Sequence, residues 1–286
     1  MATIIHPFLN DGVEARAYQI RSLRSALTSS SLMVMPTGFG KTAVEWMIMA
    51  EYLNFGNGKI LLIAPTTGLV EQQQRMAREM IKLDDAQISR YTGETAPAKR
   101  PEIWNNAKII MATSQVIRND AQSGSIDLSE VSLLVVDEAH HATGNHAYAQ
   151  VGDLYLEAKP DAMVLAATAS PGSNERNILE VAQRLGIERL DVSRREEPLL
   201  EPYSVELENI PIRVELPDEL TTLIHPLQAH QNEEVKRLQR LGFLAPTQHL
   251  TSKIIDAAQK NASIAIQRRD ARGYDAARRI SDLRRM

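Results

Sequence analysis

Leu32-Met33-Val34-Met35-Pro36-Thr37-Gly38-Phe39-Gly40-Lys41-Thr42 is the stretch on which the reading of this chain turns. An apolar run of strand length passes into a short loop with two glycines, and then into a helical pattern over residues 42–54. Small residues let backbone N–H groups close around phosphate oxygens, and the N-terminus of the following helix adds a favourable dipole. In a loop of this kind Thr37, Gly38 and Gly40 form the cradle, Lys41 reaches the β- and γ-phosphates of ATP, and the Thr42 hydroxyl binds Mg²⁺. The general phosphate-loop pattern has a glycine five residues before Gly40, where this chain has Met35. The match is therefore to the Pro-Thr-Gly-x-Gly-Lys-Thr form.

A second stretch completes the chemistry. Leu133-Leu134-Val135-Val136 is a continuous apolar run that delivers Asp137 and Glu138 at its end. One carboxylate can hold the metal's water shell while its neighbour orients or deprotonates the attacking water, as hydrolysis of a phosphoanhydride requires. Asp137, Glu138 and Lys41 are the candidate catalytic residues, and Thr42 with Asp137 the candidate metal ligands. Alone, an Asp-Glu pair after a strand reads as a helix cap; the phosphate loop changes that reading.

Outward from these stretches, short apolar runs alternate with helical patterns. Strands are predicted at residues 32–35, 59–63, 88–91, 108–112, 132–137 and 163–167, and helices at 14–27, 42–54, 69–83, 114–121, 146–157 and 174–185. This alternation specifies an α/β fold with a mostly parallel sheet flanked by helices, and ligands in such sheets bind at the carboxyl ends of the strands. Near residue 210 the texture changes. Pro198, Pro202, Pro211 and Pro217 punctuate two β-like runs, 203–207 and 210–216, after which helices are predicted at 218–241 and 247–285. The expected division is 1–209 and 210–286, the latter an additional helical element.

The composition narrows the classes further. The 286 residues carry a net charge of −4, yet residues 210–286 hold 13 Lys and Arg against 9 Asp and Glu, leaving 19 against 27 in residues 1–209. A basic helical face attracts phosphate backbones, although a solvated face has the same composition. There is no cysteine, which excludes disulfides and thiolate metal sites, and the N-terminus has no basic and apolar signal pattern. No apolar run approaches a membrane span, so an intracellular, cytoplasmic location is expected.

Taken together, Pro36–Thr42 and Asp137-Glu138-Ala139-His140 resemble motifs I and II of superfamily 2 DEAH-box helicases, and the resemblance covers about residues 10–200. It implies that residues 1–209 form a RecA-like P-loop domain, the first of two. Arg16-Ala17-Tyr18-Gln19 resembles the element in which Gln19 would read the adenine edge. Thr168-Ala169-Ser170 resembles motif III, so the resemblance assigns coupling of ATP state to nucleic-acid grip to His140, Thr168 and Ser170. Longer strings, 92–100, 137–148 and 168–173, are similar to the archaeal Hef and Fanconi anaemia M helicases. In that family a thumb-like helical insertion follows the first domain, and residues 218–286 fit its place.

The same resemblance implies DNA as partner, branched as at forks or Holliday junctions, and a role in DNA repair. Helicases acting on duplex RNA share both the core and a helical insert, so RNA stays open as the alternative. An ATP-gated binding module that needs a partner chain is a third reading. Strand contact is expected from Pro65 and Thr66, from Thr92 and Gly93, and from Thr113 and Ser114, through hydroxyls and helix N-terminal amides. No second strand–helix alternation and no Gln-x-x-Gly-Arg-x-x-Arg string follows residue 210. Arginine fingers must then come from a second RecA-like domain in cis or trans. The expectation is a fragment, or one half of a split system, with low ATP hydrolysis on its own.

Overall fold

The computed structural model describes residues 3–285 except 57, 171, 173, 205–209, 213, 216 and 247–249. Among these residues seven strands form one sheet: β1 (Ser31–Val34), β2 (Lys59–Ala64), β3 (Ile88–Tyr91), β4 (Ile109–Thr113), β5 (Val131–Asp137), β6 (Val164–Thr168) and β7 (Arg189–Val192). Their order is β3-β4-β2-β5-β6-β1-β7, and every pair is parallel. The flanking helices are α1 (Ala17–Thr28), α2 (Lys41–Phe55), α3 (Thr67–Met80), α4 (Arg100–Asn106), α5 (Ser114–Gln122), α6 (Ala147–Ala158) and α7 (Glu175–Arg184).

The continuous apolar strands follow from burial on both faces. Ile60, Leu62, Leu133 and Val135 point into one core layer, with Tyr18, Val44, Ile48 and Val70 from α1, α2 and α3. Leu61, Ile63, Leu134 and Val136 point into the other, with Trp104, Ile117, Tyr148 and Val181 from α4 to α7. All six predicted strands form. The seventh, β7, is an edge strand whose alternating Arg189-Leu190-Asp191-Val192 leaves Leu190 and Val192 exposed, so it lacks the buried-run pattern. Helix α4 was also absent from the sequence expectation. It is short, opens on Arg100-Pro101 and buries only Trp104.

The chain divides into two compact units, Met1–Glu206 and Leu207–Met286. The second contains α8 (Asp218–Arg240), α9 (Ser252–Gln267) and α10 (Ala271–Arg285) around Leu238, Ala258, Ala262, Ala276 and Ile280. A half-buried Arg279–Glu234 ion pair at 2.8 Å ties α10 to α8. Two expectations need correction here. The β-like runs 203–207 and 210–216 form no strand in their described residues: Tyr203 closes a 3-10 turn, and Ile212 and Val214 are exposed beside Pro211, which has no N–H to give a ladder. The remainder of those runs lies outside the described residues. The single helical stretch 247–285 is two helices. Asp270 caps the second, accepting from the Arg272 amide at 3.0 Å, and Arg269 turns the chain at φ 59°. Residues 247–249 of that stretch lie outside the described residues. No described helix is long and apolar enough to cross a membrane.

Candidate functional site

The carboxyl ends of β1, β5 and β6 meet at the middle of the sheet, with Val34 beside Thr168 and Asp137 beside Ala167. The loop 35–40 leaves β1 there and is fastened at both ends. Met35 N–H donates to the Thr168 carbonyl at 3.1 Å, and Phe39 is buried edge-on against Tyr18, ring centroids 6.2 Å apart. The Tyr18 hydroxyl donates to the Phe39 carbonyl at 2.8 Å, and Gln19 Nε2 donates to the same oxygen at 3.0 Å. Gly38 and Gly40 have φ of 89° and 78°. At Gly40 a Cβ would be strained by the left-handed backbone and would displace the Gln19 amide, whose Nε2 would lie 2.5 Å away. Helix α2 starts at Lys41 with no side-chain cap and no acid in its first turn, which leaves its positive end free for an anion.

This arrangement places Gln19 differently from the sequence expectation. Its side chain is only 3% exposed, and its amide nitrogen is bonded to the carbonyls of the phosphate loop. A bidentate grip on an adenine edge would need that donor; here it braces the loop. Gln19 still lines a recess of about 390 Å³ with Glu14, Arg16 and Trp46. This recess shares Gly38, Gly40, Ala43 and Trp46 with a second one, about 400 Å³, lined also by Thr37, Lys41, Thr42 and Glu138. The two recesses adjoin, one at the glycine loop and one at Arg16 and Gln19.

Lys41 Nζ lies 2.8 Å from Asp137 Oδ1 and 3.2 Å from Glu138 Oε1. Burial opposes the charge on Lys41, but Asp137 outweighs it, with Glu45 and Glu138 adding, and the ammonium is held above its ordinary range. Glu138 occupies the left-handed region, φ 54° and ψ 47°, rare for a residue with a side chain and typical of functional sites. That turn swings Glu138 out of the strand line, so that adjacent residues of β5 and its end both face the loop. Thr42 and Asp137 offer hard oxygens, and no cluster of three His, Cys, Asp or Glu suited to a metal occurs among the described residues. That donor set fits Mg²⁺, which keeps several waters and shares its other positions with phosphate oxygens.

His140, Thr168 and Ser170 are brought together. His140 Nδ1 lies 3.2 Å from Glu138 Oε2 and 3.0 Å from Thr168 Oγ1, and the Thr168 hydroxyl donates to the Ser170 carbonyl at 3.1 Å. Close polar contacts thus run from the Glu138 carboxylate through His140 Nδ1 and Thr168 to the loop after β6. His141 stacks on His146, centroids 5.4 Å apart; burial, with His140 and His146 nearby, keeps its pKa low.

The expected strand contacts divide. Pro65 is half-buried and Thr66 exposed; the Thr66 hydroxyl accepts from the Leu69 amide at 3.3 Å as the cap of α3. Gly93 is exposed as well. The Thr92, Thr113 and Ser114 side chains are buried, and the Thr92 hydroxyl has no partner. For these three the expected hydroxyl contact is corrected: their side chains do not face solvent. Beneath them Asp120 accepts from the Tyr91 hydroxyl at 2.7 Å and from Arg100 at 3.2 Å, while Arg100 Nε donates to the Thr95 carbonyl. This clamp fastens the loop carrying Gly93 to α5. Sequence reasoning passed over it, as it did Gln73 and Glu45. Both interrupt apolar stripes, Val70-x-x-Gln73-x-x-x-Ala77 on α3 and Val44-Glu45-Trp46-Met47 on α2, and that interruption was the available signal.

Residues 16–178 match the sequence model of the DEAD/DEAH box helicases. The chain is 37% identical over 242 residues to a Methanocaldococcus jannaschii protein that carries the provisional name ATP-dependent RNA helicase, covering 84% of this chain and 31% of that one. It is 36% identical over 235 residues to the chicken (Gallus gallus) Fanconi anemia group M protein, covering 80% of this chain and 11% of the other. The crystal structure of the Pyrococcus furiosus Hef helicase domain superposes with a TM-score of 0.70 at 32% identity, covering 94% of this chain and 58% of that one. The chain therefore spans about a third or less of the length of the M. jannaschii and chicken relatives.

Proposed function

This chain belongs to the DEAD/DEAH box helicase family, and from that premise we propose that it is the ATP-binding module of a DNA translocase that acts on branched DNA during repair, inside the cell. Residues 1–209 serve as the first RecA-like domain and residues 210–286 as a helical insertion. The observation that carries this reading is the junction of Lys41 with Asp137 and Glu138 beside a loop whose two glycines hold left-handed backbone. ATP would lie with its phosphates along 37–42 and its base toward Arg16 and Gln19. Mg²⁺, held by Thr42 and Asp137, would neutralise charge developing on the phosphates. Glu138 then orients a water and takes its proton, and His140 passes the state of that carboxylate to Thr168 and Ser170.

Among the described residues, Lys41 is the one cation lining the phosphate-side recess. Turnover therefore draws its further positive charge from a second RecA-like domain, in cis or in trans, and hydrolysis by this chain alone is low. The name of a Neurospora crassa relative, ATP-dependent DNA helicase mph1, 33% identical over 197 residues, favours DNA, while that of the M. jannaschii relative favours RNA. Binding of a fluorescent ATP analogue with and without Mg²⁺ tests the site; wild type should bind and Lys41→Ala should bind far more weakly. Competition between forked DNA and duplex RNA of matched length tests the substrate. Preference for the RNA would reverse the assignment, and strong hydrolysis stimulated by DNA in the isolated chain would remove the need for a partner domain.

A further inference from the structure

Asp137 is held from three sides. Lys41 lies 2.8 Å from Oδ1, and the Glu138 amide donates to the same oxygen at 3.0 Å. The third donor is Gln73, whose Nε2 reaches Oδ2 at 3.3 Å. Gln73 stands two turns into α3, 7% exposed, on the same buried stripe as Val70 and Ala77. Its Oε1 has no partner. Turning the amide over would not cure this, because it would set an oxygen against the carboxylate; Asp137 itself fixes which end of the amide faces it. A buried amide with an unmet acceptor is costly, and an apolar residue would fill the stripe without that cost. Burial alone does not account for a glutamine here.

We propose that Gln73 is a positioning residue for the metal-holding carboxylate, fixing Asp137 through Oδ2 when Lys41 turns to a bound phosphate. This inference rests on the reading of the site as one for Mg²⁺ and ATP. With Lys41 engaged elsewhere, Asp137 would keep only the backbone amide of its neighbour on Oδ1, and a carboxylate held at one oxygen can rotate. Gln73 removes that freedom. Because α3 opens at the exposed Thr66, the orientation of the carboxylate is also tied to the placement of that helix. Outer partners of metal ligands are typically worth about 10–100-fold in metal affinity.

The test uses the full chain, Gln73→Met and Gln73→Leu, and a fluorescent ATP analogue titrated with Mg²⁺ from a chelated start. Both variants should bind the analogue in chelator as wild type does, and should need about tenfold more Mg²⁺ to reach half-saturation. An unmoved Mg²⁺ midpoint overturns the inference. So does an equal loss of binding in chelator, since that would mean Gln73 supports the loop and not the carboxylate. A wild type that binds the analogue without any response to Mg²⁺ removes the underlying reading, and this inference with it. Should neither variant fold, the Gln73 side-chain amide signal in wild type decides by NMR: it should stay protected from exchange when Mg²⁺ and the analogue are added, and loss of protection overturns the inference.

Discussion

Lys41 and Glu45 sit one helical turn apart on α2 and show how differently two charged residues are legible. Lys41 was found from the sequence because its loop has a pattern. Truncating it removes the charge that meets the phosphates, and Lys41→Ala should weaken nucleotide binding by about 100-fold, the scale of one or two charge-assisted hydrogen bonds, as measured by titration with a labelled nucleotide. Glu45 has no motif, and only the packed core reveals it. It is fully buried, neither of its oxygens has a partner, and burial raises its pKa to about 8, with Asp137 and Glu138 adding and Lys41 opposing. Between its ordinary value near 4.5 and 8 the folded chain holds a proton that the unfolded chain has released. Stability contributed by this group is therefore full below pH 4.5, falls as pH rises through that window, and is flat above 8, a change on the order of 5 kcal/mol. Glu45→Gln should flatten this slope, so that denaturant midpoints of variant and wild type agree near pH 5 and separate, with the variant the more stable, at pH 8 and above.

Elements were legible wherever burial on both faces wrote a continuous apolar run, as in β2 and β5, and were missed where an element is half-exposed or short, as in β7 and α4. Helix ends shifted by a few residues because caps, not periodicity, set them: Thr66 caps α3, which begins two residues before the predicted start. Close approaches between elements were invisible to the sequence. At Gly152 on α6 a Cβ would collide with the Arg184 carbonyl at the end of α7, so Gly152→Ala must push these helices apart. The expected loss is about 1–3 kcal/mol in chemical denaturation, with nucleotide affinity unchanged in the folded fraction. Gly40→Ala should do the reverse. It strains one loop residue and collides with Gln19, so binding of the labelled nucleotide should fall more than tenfold while the melting temperature moves by a few degrees.

At the scale of the whole molecule, the acidic first unit and the basic second one were both readable from composition, and so was the place where the texture changes. The nucleic acid proposed as partner is written in neither. Arg268, Arg269 and Arg278 are exposed on the second unit. Reversing Arg268 and Arg278 to Glu should weaken binding to forked DNA and flatten the dependence of affinity on salt, by about 0.9 in slope for each phosphate no longer neutralised; an unchanged slope would place the grip elsewhere. The parallel sheet has a further result, for the time at which the nucleotide loop comes into being. Ser31 of β1 pairs with Leu165 on one side and Arg189 on the other. At synthesis rates of about 5–20 residues per second, the strand that carries the loop leaves the ribosome and waits on the order of ten seconds for both neighbours. Through that interval the sequence that best identifies this chain has no structure to hold it, and a nascent chain stalled before β6 would contain Lys41, Asp137 and Glu138 without yet having a site.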